Sequence, residues 1–453
     1  MHLRFGTDGV RGVANAELGA ELVVALGRAA ARVLDAECFL VGRDTRLSGP
    51  MLQAAMSAGL ASEGVDVVDV GMLPTPAVAW LSAARGAPGV VVSASHNPYS
   101  DNGIKIFAAG GLKLPASTEA AIEKELARCL EGPGALERPT RTGIGRLHHE
   151  PAASETYVDH LIEVLEGRDL SGLHVVVDCA NGAASSVAPL ALGRAGAKVT
   201  AIFSEPDGTN INEGCGSTHP DALASEVKAR GADVGLALDG DADRLVAIDH
   251  EGAVAGGDEL IALFASDLSE RGKLAGNGVV VTVMSNLGLR RALEKRGIGV
   301  LETPVGDRHV LEALDDAHFV LGGEQSGHIV FRELATTGDG VMTGLLLVDL
   351  VRRSGRTLAG LVSEAMSRVP QVLANVSVAD PRAAVAAAEV REALSAVEES
   401  LGDLGRVLLR PSGTEPLVRV MVEATEEDAA RRAVERLCDA VHRAGAAPST
   451  VAP

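Results

Sequence analysis

Three apolar runs in this chain break straight into polar loops. Gly89–Val92 leads into Ser93–Pro98, Val234–Leu238 into Asp239–Arg244, and Phe319–Gly323 into Glu324–His328. Unbroken Val/Leu runs of this length suit strands buried on both faces, and helical patterns lie between them. That alternation restricts the chain to α/β units on largely parallel strands. Ligands of such sheets gather beyond the carboxyl ends of the strands, which is where all three loops fall.

The pattern divides the 453 residues into domains. Glu17–Leu34 and Met51–Glu63 read as helices, with strands at FLVG, VDVVDVG and GVVVSAS. A Pro- and Gly-containing stretch, 132–145, then acts as a linker. A second unit runs from HVVVD (His174–Asp178) through KVTAIF and the helix Asp221–Arg230 to VGLAL. A third holds the helix Asp258–Arg271, the strand GVVVTV, the helices Asn286–Arg296 and Asp307–Asp315, and FVLGG. The spacing of the three units is unequal, so an internal repeat is only suggested. After Pro370 come QVLANVSV, an Asp380-Pro381 helix start, one long Ala-rich helix to about Leu401, two strands joined by PSGTEP, and a last helix opened by Thr425–Asp428. The expected architecture is α/β: three similar α/β domains with mixed sheets (1–145, 146–252, 253–369) and a smaller C-terminal α+β domain (370–453), enclosing a central cleft.

A formal net charge of −20 argues against nucleic acid or an anionic membrane as partner, since either needs a basic face. Only 2% of residues are aromatic, so the cores must pack from aliphatic side chains. Cys38, Cys129, Cys179, Cys215 and Cys438 are scattered, without a CxxC pair, and suggest neither a disulfide framework nor a zinc site. The N-terminus lacks the apolar region of a signal peptide, and no run approaches a membrane span. A soluble cytoplasmic protein is expected.

The loops carry the chemistry. Asp239, Asp241 and Asp243 alternate, and like charges this close raise one another's pKa unless a cation lies among them. Hard oxygen ligands suit Mg²⁺. An EF-hand would need Gly at Arg244 and Glu at His250, so that reading fails. In Ser93–Pro98, Ser95 beside His96 is a candidate nucleophile, and Lys105 just beyond is a cation for phosphate or proton transfer. Glu324 and Ser326, two apart on an extended loop, would point the same way and suit vicinal hydroxyls. Arg410, Ser412, Gly413, Thr414 and Arg419 make a phosphate cradle around a glycine-containing turn. Each loop alone also fits a plain turn. Together they describe a phosphorylated-sugar site.

With these four loops in this order, the chain resembles the α-D-phosphohexomutase superfamily over essentially its whole length. Within it, FGTDGVRG, GEQSGH and TTGDG (Thr336–Gly340) are similar to the bacterial phosphoglucosamine mutases. The resemblance implies interconversion of glucosamine 6-phosphate and glucosamine 1-phosphate, through a phosphoserine and a glucosamine 1,6-bisphosphate that serves as intermediate and primer. The product would feed UDP-N-acetylglucosamine and peptidoglycan synthesis. It implies that Ser95 carries the phosphoryl group and that one Mg²⁺ is held by Ser95, Asp239, Asp241 and Asp243. Arg11, His96, Lys105 and Arg244 would surround the phosphoserine, Glu324 and Ser326 the sugar hydroxyls, and Arg410 to Arg419 the distal phosphate. Asp307 and Arg308 replace a histidine pattern seen in phosphomannomutases, so no general base is assigned there. Glucose or mannose phosphate specificity, a non-catalytic sugar-phosphate binder and a phosphatase are the alternatives. A small-molecule sugar phosphate is the expected partner, and a homodimer is left open.

Overall fold

The computed structural model describes residues 9–131, 137–412 and 416–445. Its eighteen strands form four sheets. The first contains β1 (Val10–Val13), β2 (Cys38–Arg43), β3 (Asp66–Met72), β4 (Gly89–Val92), β5 (Asp101–Phe107) and β6 (Leu147–His149), in the order β1-β5-β4-β2-β3-β6. The second contains β7 (His174–Asp178), β8 (Lys198–Ile202), β9 (Val234–Leu238), β10 (Leu245–Asp249) and β11 (Val254–Ala255), ordered β11-β10-β9-β7-β8. The third contains β12 (Gly278–Thr282), β13 (Gly299–Thr303), β14 (Leu321–Gly323) and β15 (Ile329–Phe331), ordered β13-β12-β14-β15.

One motif recurs in all three. β4, β9 and β14 each pair in parallel with an inner strand and antiparallel with the strand that follows. The reason is connection length. Residues 93–100, 239–244 and 324–328 are the only chain between the paired strands. A parallel crossover needs about a dozen residues or more, so the chain must double back. The sheets are therefore mixed, and each polar loop is the short, fixed turn of a hairpin. The internal repeat that unequal spacing only suggested is visible in this topology.

The cores are aliphatic, as the scarcity of aromatics requires. Val23, Leu26, Phe39, Leu52, Met56, Leu60, Val90 and Ile104 share one cluster of the first domain. There the helices Ala20–Leu34 and Gly49–Ser62 approach so closely that a Cβ on Gly59 would lie 2.3 Å from the Val24 carbonyl oxygen. The lone tryptophan, Trp80 of the first domain, stacks on His160 at 4.3 Å, and the neighbouring Tyr157 hydroxyl donates to Asp339 at 2.6 Å.

The chain divides into two compact units: Met1–Met284 with Gly297–Ala365, and Ser285–Arg296 with Met366–Pro453. The second holds the antiparallel sheet β16 (Gln371–Ser377), β18 (Leu417–Ala424) and β17 (Gly405–Pro411), in that order. Val376, Val390, Val420, Val422, Leu437 and Val441 lie in its core. The expected long helix is two, Pro381–Ala386 and Ala388–Leu401, broken where Ala387 turns extended at ψ 143°. Asp380 does cap the first, accepting from Arg382 N and Ala383 N at 3.0 Å each. The fully buried Glu423 of this unit accepts from Asn286, Gln371 and Arg406, so its charge is satisfied.

Candidate active site

The hairpin turn after β4 presents Ser95, buried and in the left-handed region at φ 52°. A non-glycine residue holds that conformation only when its surroundings enforce it. Here the enforcing group is Arg46. Its guanidinium has no solvent exposure. Nε donates to Asp44 at 2.8 Å, and Nη2 donates to the carbonyls of Ser95 and Asn97 at 2.8 Å each. Nη1 donates to the Asp101 carbonyl at 3.1 Å and also to that of Pro98. Asp44 accepts from Ser93 Oγ at 2.6 Å, and Ser93 Oγ accepts from Ser95 N at 3.0 Å. From the second domain, Asn212 Nδ2 donates to the same carbonyls of Ser95 and Asn97 at 2.9 and 3.1 Å. Arg11 reaches the Ala94 carbonyl at 3.1 Å.

The turn after β9 meets this loop directly. Ser95 Oγ donates to Asp239 Oδ2 at 2.5 Å. A Cβ on Gly240 would lie 2.6 Å from the Ser95 carbonyl oxygen, so only glycine admits this approach. Lys105 Nζ, on β5, bridges Asp241 Oδ2 at 2.8 Å and Asp243 Oδ2 at 3.2 Å. Thr75, at the start of the helix Thr75–Arg85, donates its hydroxyl to Asp241 Oδ2 at 2.6 Å. Oxygens of Asp239, Asp241 and Asp243 lie within 4.8 Å of one another, and all three residues are buried. Burial, then the Asp243 and Asp241 charges, push Asp239 up to about 8. Against the upward push of burial, Lys105, His328 and Arg244 hold Asp243 well below the carboxylate range. Burial, then Arg244 and Arg11, push His96 down to about 4, so its ring is neutral at pH 7.

The turn after β14 differs from the extended loop expected. Gly327 N donates to the Glu324 carbonyl at 3.0 Å and closes a tight turn. Glu324 Oε1 accepts from Gly306 N at 3.1 Å, and Glu324 lies within electrostatic reach of Arg244. Ser326 Oγ is buried without a hydrogen-bond partner among the described residues. His328 Nε2 accepts from Gly338 N at 3.1 Å, which leaves Nδ1 facing Asp243 Oδ1 at 3.9 Å. Asp307 and Arg308 pair with Lys113 and Glu119 of the first domain.

In the second unit, Arg410 and Arg419 sit directly opposite each other on β17 and β18. Burial and Arg419 both lower the Arg410 pKa. Like charges directly opposite are unfavourable, and an anion would relieve them. Ser412 N donates to the Leu417 carbonyl at 2.9 Å. Gly413 and Thr414 lie outside the described residues.

The first three loops thus bring together Ser95, His96, Lys105, Arg11, the three aspartates, Arg244 and Glu324. Sequence reasoning did not single out Arg46, Asn212, Thr75 or His328. Asp44 and Arg46 follow the buried strand β2 as the other loops follow theirs, so the same logic would have found them. Nothing local marks Asn212 or Thr75, which matter only because the domains meet.

Models of the phosphoglucomutase/phosphomannomutase family match this chain throughout: α/β/α domain I at residues 2–131, domain II at 155–252, domain III at 256–369 and the C-terminal domain at 373–440. The phosphoglucosamine mutase of Desulforudis audaxviator is 54% identical over 442 residues, covering 96% of this chain and 97% of that protein. A phosphoglucomutase/phosphomannomutase family protein from Burkholderia thailandensis has a similar crystal structure, with a TM-score of 0.80 and 26% identity over 97% of this chain and 98% of that one. The Aspergillus fumigatus N-acetylphosphoglucosamine mutase, crystallised with GlcNAc-6P and magnesium, shares the fold at a TM-score of 0.69 and 19% identity, over 98% of this chain and 96% of that one.

Proposed function

The chain belongs to the phosphoglucomutase/phosphomannomutase family, and we infer that it interconverts glucosamine 6-phosphate and glucosamine 1-phosphate through a phosphorylated Ser95. The observation that carries the chemistry is the 2.5 Å contact between Ser95 Oγ and Asp239, at the edge of three buried carboxylates. The sugar assignment rests on the near full-length identity to phosphoglucosamine mutases.

The carboxylates fit a divalent cation. Asp241 Oδ1 and Asp243 Oδ1 are buried with no hydrogen-bond partner among the described residues, and Asp239 would be protonated near neutral pH were no cation present. An all-oxygen donor set of this charge suits Mg²⁺. When bound there by the three aspartates and Ser95, Mg²⁺ offsets negative charge on the transferring phosphoryl group.

The remaining work falls to the chain. Arg410 and Arg419 hold the substrate's own phosphate, and Glu324 and Ser326 contact sugar hydroxyls. Transfer requires the free hydroxyl to lie in line with the phosphoserine. The bond from phosphorus to Ser95 Oγ breaks as one forms to the sugar oxygen, giving glucosamine 1,6-bisphosphate. The bisphosphate then reorients and returns its other phosphoryl group to Ser95. Arg11, Arg244 and Lys105 surround the reacting phosphoryl group. Lys105, whose Nζ donates to two carboxylates beside the reacting group, is one candidate to take the hydroxyl's proton. His96, with a ring nitrogen 3.4 Å from Ser95 Oγ, is the other candidate. Among the described residues no helix is long and apolar enough to cross a membrane. A cytoplasmic place, supplying UDP-N-acetylglucosamine and peptidoglycan synthesis, fits this activity.

The test is ³¹P NMR of the purified protein with Mg²⁺ and a trace of the matching bisphosphate, supplied with glucosamine 6-phosphate or glucose 6-phosphate. Faster formation of glucosamine 1-phosphate is expected. Faster glucose 1-phosphate would overturn the sugar assignment, and inorganic phosphate alone would overturn the mutase.

A further inference from the structure

Asp241 is tethered through a single carboxylate oxygen, and both tethers come from another domain. Its Oδ2 accepts from Thr75 Oγ1 at 2.6 Å and from Lys105 Nζ at 2.8 Å, while its Oδ1 is buried without a hydrogen-bond partner among the described residues. Thr75 also fixes the backbone of that loop, its N–H donating to the Asp241 carbonyl oxygen at 3.0 Å. The residue is 2% exposed and lies at the first position of its helix, between Pro74 and Pro76, so its own backbone has little freedom. A carboxylate whose one oxygen is saturated by two donors can offer a cation only the other.

We propose that Thr75 is a positioning residue for the divalent cation: its hydroxyl occupies Asp241 Oδ2 and so aims Oδ1 at the metal. Lys105 cannot substitute, because its ammonium is shared with Asp243 and a flexible stem does not fix the carboxylate plane. The proposal rests on the reading of the aspartates as the metal site. It adds a tie between the domain that carries the nucleophile and the loop that carries the cation, so cation affinity depends on how the two domains are docked.

The experiment measures Mn²⁺ binding to the full-length protein by electron paramagnetic resonance, for wild type, Thr75→Val and Thr75→Ser. Valine keeps the shape and the branched Cβ but loses the donor, whereas serine keeps the donor. Groups that orient metal ligands change affinity by about 10–100-fold when lost. Thr75→Val should therefore weaken Mn²⁺ binding by roughly tenfold or more, and Thr75→Ser by no more than about threefold. The same ordering is expected in the Mg²⁺ concentration needed for half-maximal turnover, with excess Mg²⁺ restoring the Thr75→Val rate. Circular dichroism checks that each variant is folded, and Thr75→Ala, with the same expected loss, replaces valine if it is not. Wild-type affinity in the folded valine or alanine variant would overturn the role of Thr75. Wild-type protein that binds no Mn²⁺ would overturn the metal site itself, and with it this inference.

Discussion

A guanidinium without solvent exposure, such as that of Arg46, is costly unless each of its donors is used. Here Nε meets a carboxylate and the two terminal nitrogens reach four backbone carbonyls, so the charge is satisfied by the loop it shapes. Lysine has the charge but not the fork. Arg46→Lys should destabilise the protein by about 2–4 kcal/mol, read from chemical denaturation, because one ammonium cannot serve the Asp44 carboxylate and four carbonyls at once, and Asn212 reaches only two of those carbonyls. A loss under about 0.5 kcal/mol, the range of an ordinary surface change, would mean that the loop holds itself. Ser95→Ala is a different kind of change. It removes the phosphoryl acceptor and leaves the Arg46 clamp, which binds backbone, untouched. Turnover should vanish while the circular dichroism spectrum and cooperative unfolding persist, and measurable mutase activity would refute the nucleophile. At this scale the sequence was most legible where chemistry is local. Three alternating aspartates directly after a buried strand point to a cation from the local sequence alone. Thr75 and Asn212 announce nothing, because their partners are 166 and 117 residues away.

Among the elements, the helix Gly340–Ser354 shows how a buried carboxyl couples packing to pH. Asp339 caps it, accepting from Met342 N at 2.9 Å, and also accepts from Tyr157 of the second domain. Burial pushes its carboxyl from 3.8 up to about 6, with those two donors opposing. The folded state therefore binds more protons than the unfolded chain between about pH 4 and 6, and the stability Asp339 contributes in acid is lost as the pH rises through 6. Asp339→Asn keeps an acceptor for the cap and removes the titration. Wild type should lose about 1 kcal/mol more stability than Asp339→Asn between pH 5 and 7. Equal losses, measured by denaturation at both values, would contradict the assignment. The elements themselves were legible unevenly. The parallel strands β4, β7, β9 and β12 were marked by unbroken apolar runs. The returning strands β5, β10 and β15 were not read, since their direction is set by the shortness of the preceding loop rather than by their own composition. The extended Ala387, which divides the expected C-terminal helix, likewise leaves no mark in an alanine-rich stretch.

For the molecule as a whole, one architectural device is used three times: a buried strand, a short turn that carries chemistry, and an antiparallel return. It sets Ser95, the aspartates and the Glu324 turn on rigid hairpins, while the paired arginines are held by the separate second unit. That division predicts a division of kinetic effects. Arg419→Ala should mainly raise KM for the sugar phosphate, by roughly ten- to a hundredfold, because a charge-assisted hydrogen bond is worth about 1.5–3 kcal/mol. An unchanged KM would remove it from the substrate's path. Four domains and four loops were visible in the sequence because each loop follows its own apolar run or glycine-containing turn. How the domains meet was not, since those contacts join distant residues. The most direct test of the account is a single turnover with protein carrying a radiolabelled phosphoryl group, mixed with excess glucosamine 6-phosphate and Mg²⁺. The account predicts that the label leaves Ser95 and appears in glucosamine 1,6-bisphosphate, then in glucosamine 1-phosphate. Label that stays on the protein, or emerges only as inorganic phosphate, would contradict it.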